Sequence, residues 1–185
     1  MKTTLFLLWL AGATIAAAAP WRVEQADVRV VCPMTVGGSF AAKTTALSGS
    51  VTPNADHSPA FDGSLAVDLR TLDTGIGLRN EHLRERYLEV SKAPGYDNAI
   101  LSDIDLKGVD PVAPEGKGSF TGSLALHGVK NPVAGSVEAH KAGAGIRVKA
   151  MFPVNLSDFH IDEPSYLGVG VKSTVQVEVA FTIAQ

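Results

Sequence analysis

From Val171 to Ile183 every second residue is apolar or small: Val171, Ser173, Val175, Val177, Val179, Phe181 and Ile183. Lys172, Thr174, Gln176, Glu178 and Thr182 fall between them. Alternation sustained over more than a dozen residues is the pattern of a strand with one buried and one wetted face. The pattern recurs at Ile146, Val148, Ala150, Phe152 and Val154, and at Phe61, Gly63, Leu65, Val67 and Leu69. It recurs again at Ile100, Ser102, Ile104 and Leu106, at Phe120, Gly122, Leu124 and Leu126, and more briefly at Val133, Val137 and Ala139. Regions 21–31 and 39–51 read as weaker strands. Turn residues separate the runs at Pro53-Asn54, Val109-Asp110-Pro111, Lys130-Asn131-Pro132 and Ala142-Gly143. Connections long enough for parallel pairing are missing, except where a helix intervenes, so the sheet is expected to be mostly antiparallel. About eight such strands close most simply into a barrel, because closure removes exposed sheet edges.

One segment breaks the alternation. After Leu69 the chain turns at Asp73-Thr74-Gly75 into an amphipathic helix expected over 75–90. Ile76, Leu83, Tyr87 and Val90 form its apolar face, and Glu81, Arg84, Glu85 and Glu89 lie opposite. Asp73 or Thr74 can cap its start, and Pro94-Gly95 follows its end. A lone helix on a barrel has a natural place across one end, as a plug or lid.

The first residues read as a targeting segment. Lys2 precedes an apolar run from Leu5 to Ile15, and Ala16 and Ala18 fit a small-x-small cleavage pattern. Cleavage after Ala18 is expected, which makes 1–18 a signal peptide and 19–185 the mature domain. A spanning helix needs ~20 predominantly apolar residues, and this run dilutes into alanine too early, so no stable membrane insertion is expected. Removing 1–18 takes away only Lys2 among charged residues, so the net charge moves from −3 to −4. A mildly acidic chain without a basic run offers no footprint for nucleic acid. The expected compartment is periplasmic or extracellular. Cys32 is the one cysteine. It cannot form an internal disulfide, and after Val30 and Val31 it reads as a buried core thiol.

Chemistry is sparse. No Gly-x-Ser-x-Gly elbow is present, and the five histidines are scattered at His57, His82, His127, His140 and His160. His127-Gly128 at a strand end reads as turn geometry, with the ring satisfied by a hydrogen bond. No Cys/His cluster or His-x-x-x-His pair suggests a metal, and Asp103 and Asp105 on one strand face are more simply a solvated pair. No catalytic residue, metal or cofactor is assigned. An eight-stranded barrel is just wide enough to fill with side chains or to hold one small ligand. Gly63, Gly122, Ser102, Ser173 and Ala150 are small members of the expected inward faces. Only 6% of the chain is aromatic, so few large groups are available to fill the middle.

Three motifs resemble those of the YceI-like family. The first runs from Val67 through Asp73-Thr74-Gly75 to Arg79, His82 and Leu83, with Asn80 where the family more usually has Asp. The second is Leu124-Ala125-Leu126-His127-Gly128-Val129-Lys130-Asn131-Pro132-Val133, and the third is Asp158-Phe159 leading to Val171. The resemblance implies an all-β, eight-stranded, antiparallel lipocalin-like barrel with one amphipathic helix. It also implies an apolar interior that takes a polyisoprenoid or isoprenoid-quinone-type lipid, with storage or transport in the cell envelope as the role. Leu69, Phe120, Leu124, Phe152, Val154 and Val171 are the expected lipid-binding wall, and Arg79 and His82 the headgroup or entrance residues. Two other readings remain open: an enzyme acting on such a lipid, with His82 or His127 as its polar group, or a structural or stress-response envelope protein with a filled barrel.

Overall fold

The computed structural model describes residues 19–54, 58–166 and 169–184. The expected signal peptide, and residues 55–56 of the turn expected after Asn54, lie outside them. Among the described residues there are eleven strands: β1 Trp21–Pro33, β2 Ser39–Thr44, β3 Leu47–Pro53, β4 Phe61–Asp68, β5 Asn98–Lys107, β6 Gly116–Leu126, β7 Val129–Ala142, β8 Gly145–Asn155, β9 Ser165–Tyr166, β10 Val169–Gly170 and β11 Thr174–Ala184. β2 and β3 are two halves of one bent strand, since both pair with β1. The barrel therefore has eight antiparallel strands in an up-and-down meander. It closes where β11 pairs β1, from Arg22↔Ala184 to Val31↔Gln176. β9 and β10 form a separate small hairpin in the loop before β11.

The alternation decides which face each strand turns inward. Val148, Ala150, Phe152 and Val154 of β8 and Val175, Val177, Val179, Phe181 and Ile183 of β11 all face the interior. Arg147 and Lys149, and Gln176 and Glu178, point the other way. The apolar inside and charged outside reverse the pattern of an outer-membrane barrel, whose apolar band faces lipid.

β5 corrects the expected face of its first half. Ile100 and Ser102 are turned out, and Ala99 and Leu101 line the interior in their place. Asp103 is the cause. It adopts φ 53° and the register with β6 shifts between Ser102 and Asp105. One extra residue in a strand reverses the phase of everything before it. Ile104 and Leu106, beyond the bulge, face inward as expected. The two carboxylates expected on one face bond to different neighbours. Asp103 accepts from Lys130 Nζ at 2.8 Å, and Asp105 accepts from Ser58 Oγ and the Ala60 amide.

Lys130-Asn131-Pro132 is strand, not turn. The chain reverses one step earlier at His127-Gly128, with φ 53° and 77°, the left-handed pair that a two-residue hairpin requires. Pro132 is tolerated because β7 pairs β8 only from Ser136 onward. Its missing amide thus falls on an unpaired flank.

The helix is shorter than expected and changes winding. An α-helical turn covers Gly77–Glu81, and His82–Tyr87 is wound as a π-helix. The wider winding shows in the Leu88 amide, which donates to the Leu83 carbonyl five residues back at 2.9 Å. It moves the buried face. Leu88 and Val90 are buried and Leu83 and Tyr87 pack on the core, whereas Ile76 is 49% exposed. Arg84 and Glu89, expected in solvent, are both drawn against the protein. Neither Asp73 nor Thr74 caps the helix amides. Instead the Asn80 side chain reaches back, accepting from Thr74 N and Oγ1 and donating Nδ2 to Asp73.

Helix, the β1–β2 and β6–β7 turns and the segments 156–166 and 169–173 all sit at one end of the barrel, here the helix end. Asn54, residues 58–60, the loop 108–115 and the β7–β8 turn sit at the other. In mid-barrel Phe120 and Phe152 meet edge to face, with centroids 5.5 Å apart. Gly135 makes this possible: a Cβ there would stand 2.6 Å from Phe152 Cβ and 2.9 Å from Phe120 Cε1, and would strike the Met151 carbonyl. Gly135→Ala is therefore expected to cost about 1–3 kcal/mol through overpacking. Urea unfolding should show a lower midpoint at unchanged slope, and a midpoint equal to wild type would contradict this packing.

Candidate functional site

A cavity of about 250 Å³ runs along the barrel axis. Voids in a close-packed core seldom exceed a water molecule, so the inward side chains do not fill the space they enclose. Its wall extends from Val109 and Pro114 at one end to Leu72, Leu88, Ile161 and Pro164 at the helix end. Among the described residues, only Cys32 and Tyr87 bring a polar side-chain atom to this wall.

All six residues expected on the wall are there. Leu69, Phe120, Leu124, Phe152, Val154 and Val171 line the cavity, and each is buried. Of the small residues expected inside, Ala150 lines the wall and Gly122 lies against Leu101. Ser102 faces outward. Ser173 does not line the cavity; its carbonyl accepts from the Leu156 amide instead.

The two expected entrance residues part company. Arg79 lays its guanidinium over Phe40, a wall residue, 4.3 Å from the ring centroid. Such a cation–π contact is worth ~0.5–1 kcal/mol at an exposed site. His82 is exposed on the helix and does not touch the cavity wall. Arg84 takes a place that helical periodicity assigned to solvent. Its Nη2 donates to the Leu72 carbonyl at 2.7 Å, and its Nε is buried without a hydrogen-bond partner.

Cys32 is buried on the wall between Val30 and Phe40. Burial pushes its thiol up to about 11, with a small opposing effect from the Arg79 charge. At neutral pH it is a thiol, and the thiolate that nucleophilic chemistry requires is scarce. His127, the other residue considered for catalysis, is buried away from the cavity wall. Its ring is held between the Phe159 carbonyl and the Glu89 carboxylate, as a turn-fixing histidine should be. Among the described residues, no group of three His, Cys, Asp or Glu side chains is placed to hold a metal, and no helix is long and apolar enough to cross a membrane.

The YceI-like domain matches residues 21–183, nearly the whole described chain. The chain belongs to the YceI-like family. Solved structures agree in fold. A polyisoprenoid binding domain from Saccharophagus degradans, implicated in plant cell wall breakdown, superposes with a TM-score of 0.67 at 16% identity, covering 89% of this chain and 97% of that one. Burkholderia cenocepacia BcnA superposes with a TM-score of 0.66 at 18% identity, covering 86% and 96%. A Campylobacter jejuni YceI protein gives a TM-score of 0.53 at 14% identity, covering 74% and 79%. No curated protein sequence matches the chain.

Cys32 provides a direct check on the sealed wall. Native protein at neutral pH is expected to resist alkylation by iodoacetamide, and unfolding in urea should expose one reactive thiol. Rapid labelling of the native protein would contradict both the burial and the raised thiol value.

Proposed function

We propose that this protein is a carrier that holds one long apolar lipid, of polyisoprenoid or isoprenoid-quinone type, with its tail along the barrel axis. The observation that carries this reading is the axial cavity whose wall is hydrocarbon nearly throughout. The polyisoprenoid binding of the Saccharophagus degradans relative lends it support. Burying a methylene is worth about 0.8 kcal/mol, so a five-carbon unit offers roughly 3–4 kcal/mol. Association and ordering cost ~4–15 kcal/mol, which a few units offset. A headgroup hydrogen bond adds only ~0.5–1.5 kcal/mol net. Tail length and shape thus dominate affinity, while polar groups at the helix end orient the headgroup. Arg79, stacked beside the Phe40 wall, is the residue placed for that. His82 would serve only a headgroup that projects beyond the helix.

Binding is favoured over catalysis by the wall itself. Its thiol is held protonated, and among the described residues no base stands with it on the wall. Export after cleavage at Ala18 belongs to the same reading. A lipid with a long tail needs a carrier wherever it crosses water, and an envelope space is such a place. Sequencing the N-terminus of protein recovered from its host tests export: mature chains should begin at Ala19, and chains retaining Met1 would contradict it.

Leu124→Trp is expected to block the tail by filling cavity volume, and Arg79→Ala to leave tail binding nearly intact while altering headgroup preference. A fluorescent isoprenoid analogue reads both, once circular dichroism has shown each variant folded. Wild-type affinity in Leu124→Trp, or abolished binding in Arg79→Ala alone, would overturn the tail-in-cavity reading.

A further inference from the structure

Three segments meet at one buried ring on the helix end. His127, at the β6–β7 turn, is 7% exposed. Its Nδ1 lies 3.0 Å from the carbonyl oxygen of Phe159, which belongs to the short helix Leu156–Phe159. Its Nε2 lies 2.9 Å from Oε2 of Glu89, just beyond the π-wound segment. A backbone carbonyl can only accept. An ionised carboxylate can only accept as well, and Glu89 is held below the usual carboxylate range, chiefly by Lys92 Nζ at 2.7 Å. Both ring nitrogens must therefore carry protons for both bonds to exist. A neutral imidazole makes one of them and sets a bare lone pair against an acceptor.

The backbone is bent to bring these groups together. Glu89 and His127 adopt φ 47° and 53°, and His160, which ends the Leu156–Phe159 helix, adopts 54°. These are three of the four non-glycine residues with positive φ among those described. Left-handed backbone in a non-glycine residue persists where surrounding contacts hold it.

We propose that His127 is a proton-dependent clasp that holds the segment 83–90 onto the helix end of the barrel. Protonated, the ring ties Glu89 to the Phe159 carbonyl across the β6–β7 turn. On deprotonation the single remaining N–H stays on Phe159, whose carbonyl is buried with its residue, while Glu89 is partly exposed and can turn to Lys92 and water. The opening is one-sided. The helix segment with Leu83, Tyr87 and Leu88, which wall the cavity, is released, and the Leu156–Phe159 element stays docked.

Other groups around the ring do not substitute for its proton. Lys92 is itself raised by Glu89 and stays cationic. The Tyr96 ring packs edge-on to His127 with centroids 4.9 Å apart. On the Phe159 side, Asp158 accepts from Asn155 Nδ2 and His160 is exposed. On β7, Lys130 is paired with Asp103.

The clasp is testable without any lipid. In wild-type protein labelled with ¹⁵N-histidine, NMR at about pH 6 should show protons on both ring nitrogens of His127. A bare nitrogen there would overturn the proposal. Between about pH 6 and about pH 9, hydrogen-exchange protection of the Leu88 and Val90 amides should fall about tenfold, equivalent to ~1.4 kcal/mol. The Ile161 amide, bonded to the Leu156 carbonyl, should keep its protection. Glu89→Gln should remove this pH dependence, because a Gln amide can present either its oxygen or its nitrogen to Nε2. Unchanged protection at Leu88, an equal loss at Ile161, or a pH dependence that survives in Glu89→Gln would each refute it.

Discussion

The pairing of β1 with β11 is the contact on which the remaining structure depends. Until it forms, the sheet has two open edges and its apolar face can be covered from any direction. Once it forms, each inward side chain has only the opposite wall to meet. Whether the middle fills is then a matter of side-chain volume. Valine dominates the inward face of β11, alanines stand at positions 99, 139 and 150, and one aromatic pair crosses the centre. Side chains of that size leave an axial space, and their lack of polar atoms makes it favourable to hydrocarbon and poor for water.

The same closure makes the ends the only places where the barrel can be specific. The walls are ladders of backbone hydrogen bonds, costly to open. The helix end is held by discrete contacts, among them Asn80 on Asp73 and Thr74, Arg84 on the Leu72 carbonyl, the Lys43–Asp73 and Met34–Val171 bridges, and His127 between Glu89 and Phe159. They tie the non-strand segments at this end to one another and to the rim. Few bonds and short segments are the features of structure that opens locally at low free energy. An exchangeable ligand needs such an end, and the groups that could read a headgroup lie beside it.

Much of this was legible in the sequence, because period two is a strong signal wherever one face of a strand is buried. The strands carrying Val175, Phe152 and Leu124 could be assigned a face from their alternation, as could that of Phe61 except at Gly63, which is exposed at a register shift, and the six wall residues followed. The failures share one physical origin: a local backbone conformation that the residue types do not announce. Asp103 looks like any polar strand residue, yet its left-handed backbone reverses the face of Ile100 and Ser102. Aspartate tolerates that conformation, and composition does not announce it. The π winding at His82–Tyr87 likewise leaves the residue types of an amphipathic helix in place while moving burial to Leu88 and bringing Arg84 and Glu89 inward. Lys130-Asn131-Pro132 has turn composition but lies in a strand, because the reversal was already made at His127-Gly128. The cavity was only half legible. Small inward residues suggested it, but whether glycines bend the walls inward or leave room is decided by three-dimensional packing.

A barrel interior that holds a long apolar lipid should keep it through a gentle purification. Native mass spectrometry of protein purified from its own host, without delipidation, tests this most directly. A lipid-filled barrel gives a population heavier than the polypeptide by one ligand, releasing on collisional activation a species whose mass spacing fits isoprene units. A single peak at the bare polypeptide mass, from protein that also fails to take up an added isoprenoid, would contradict it.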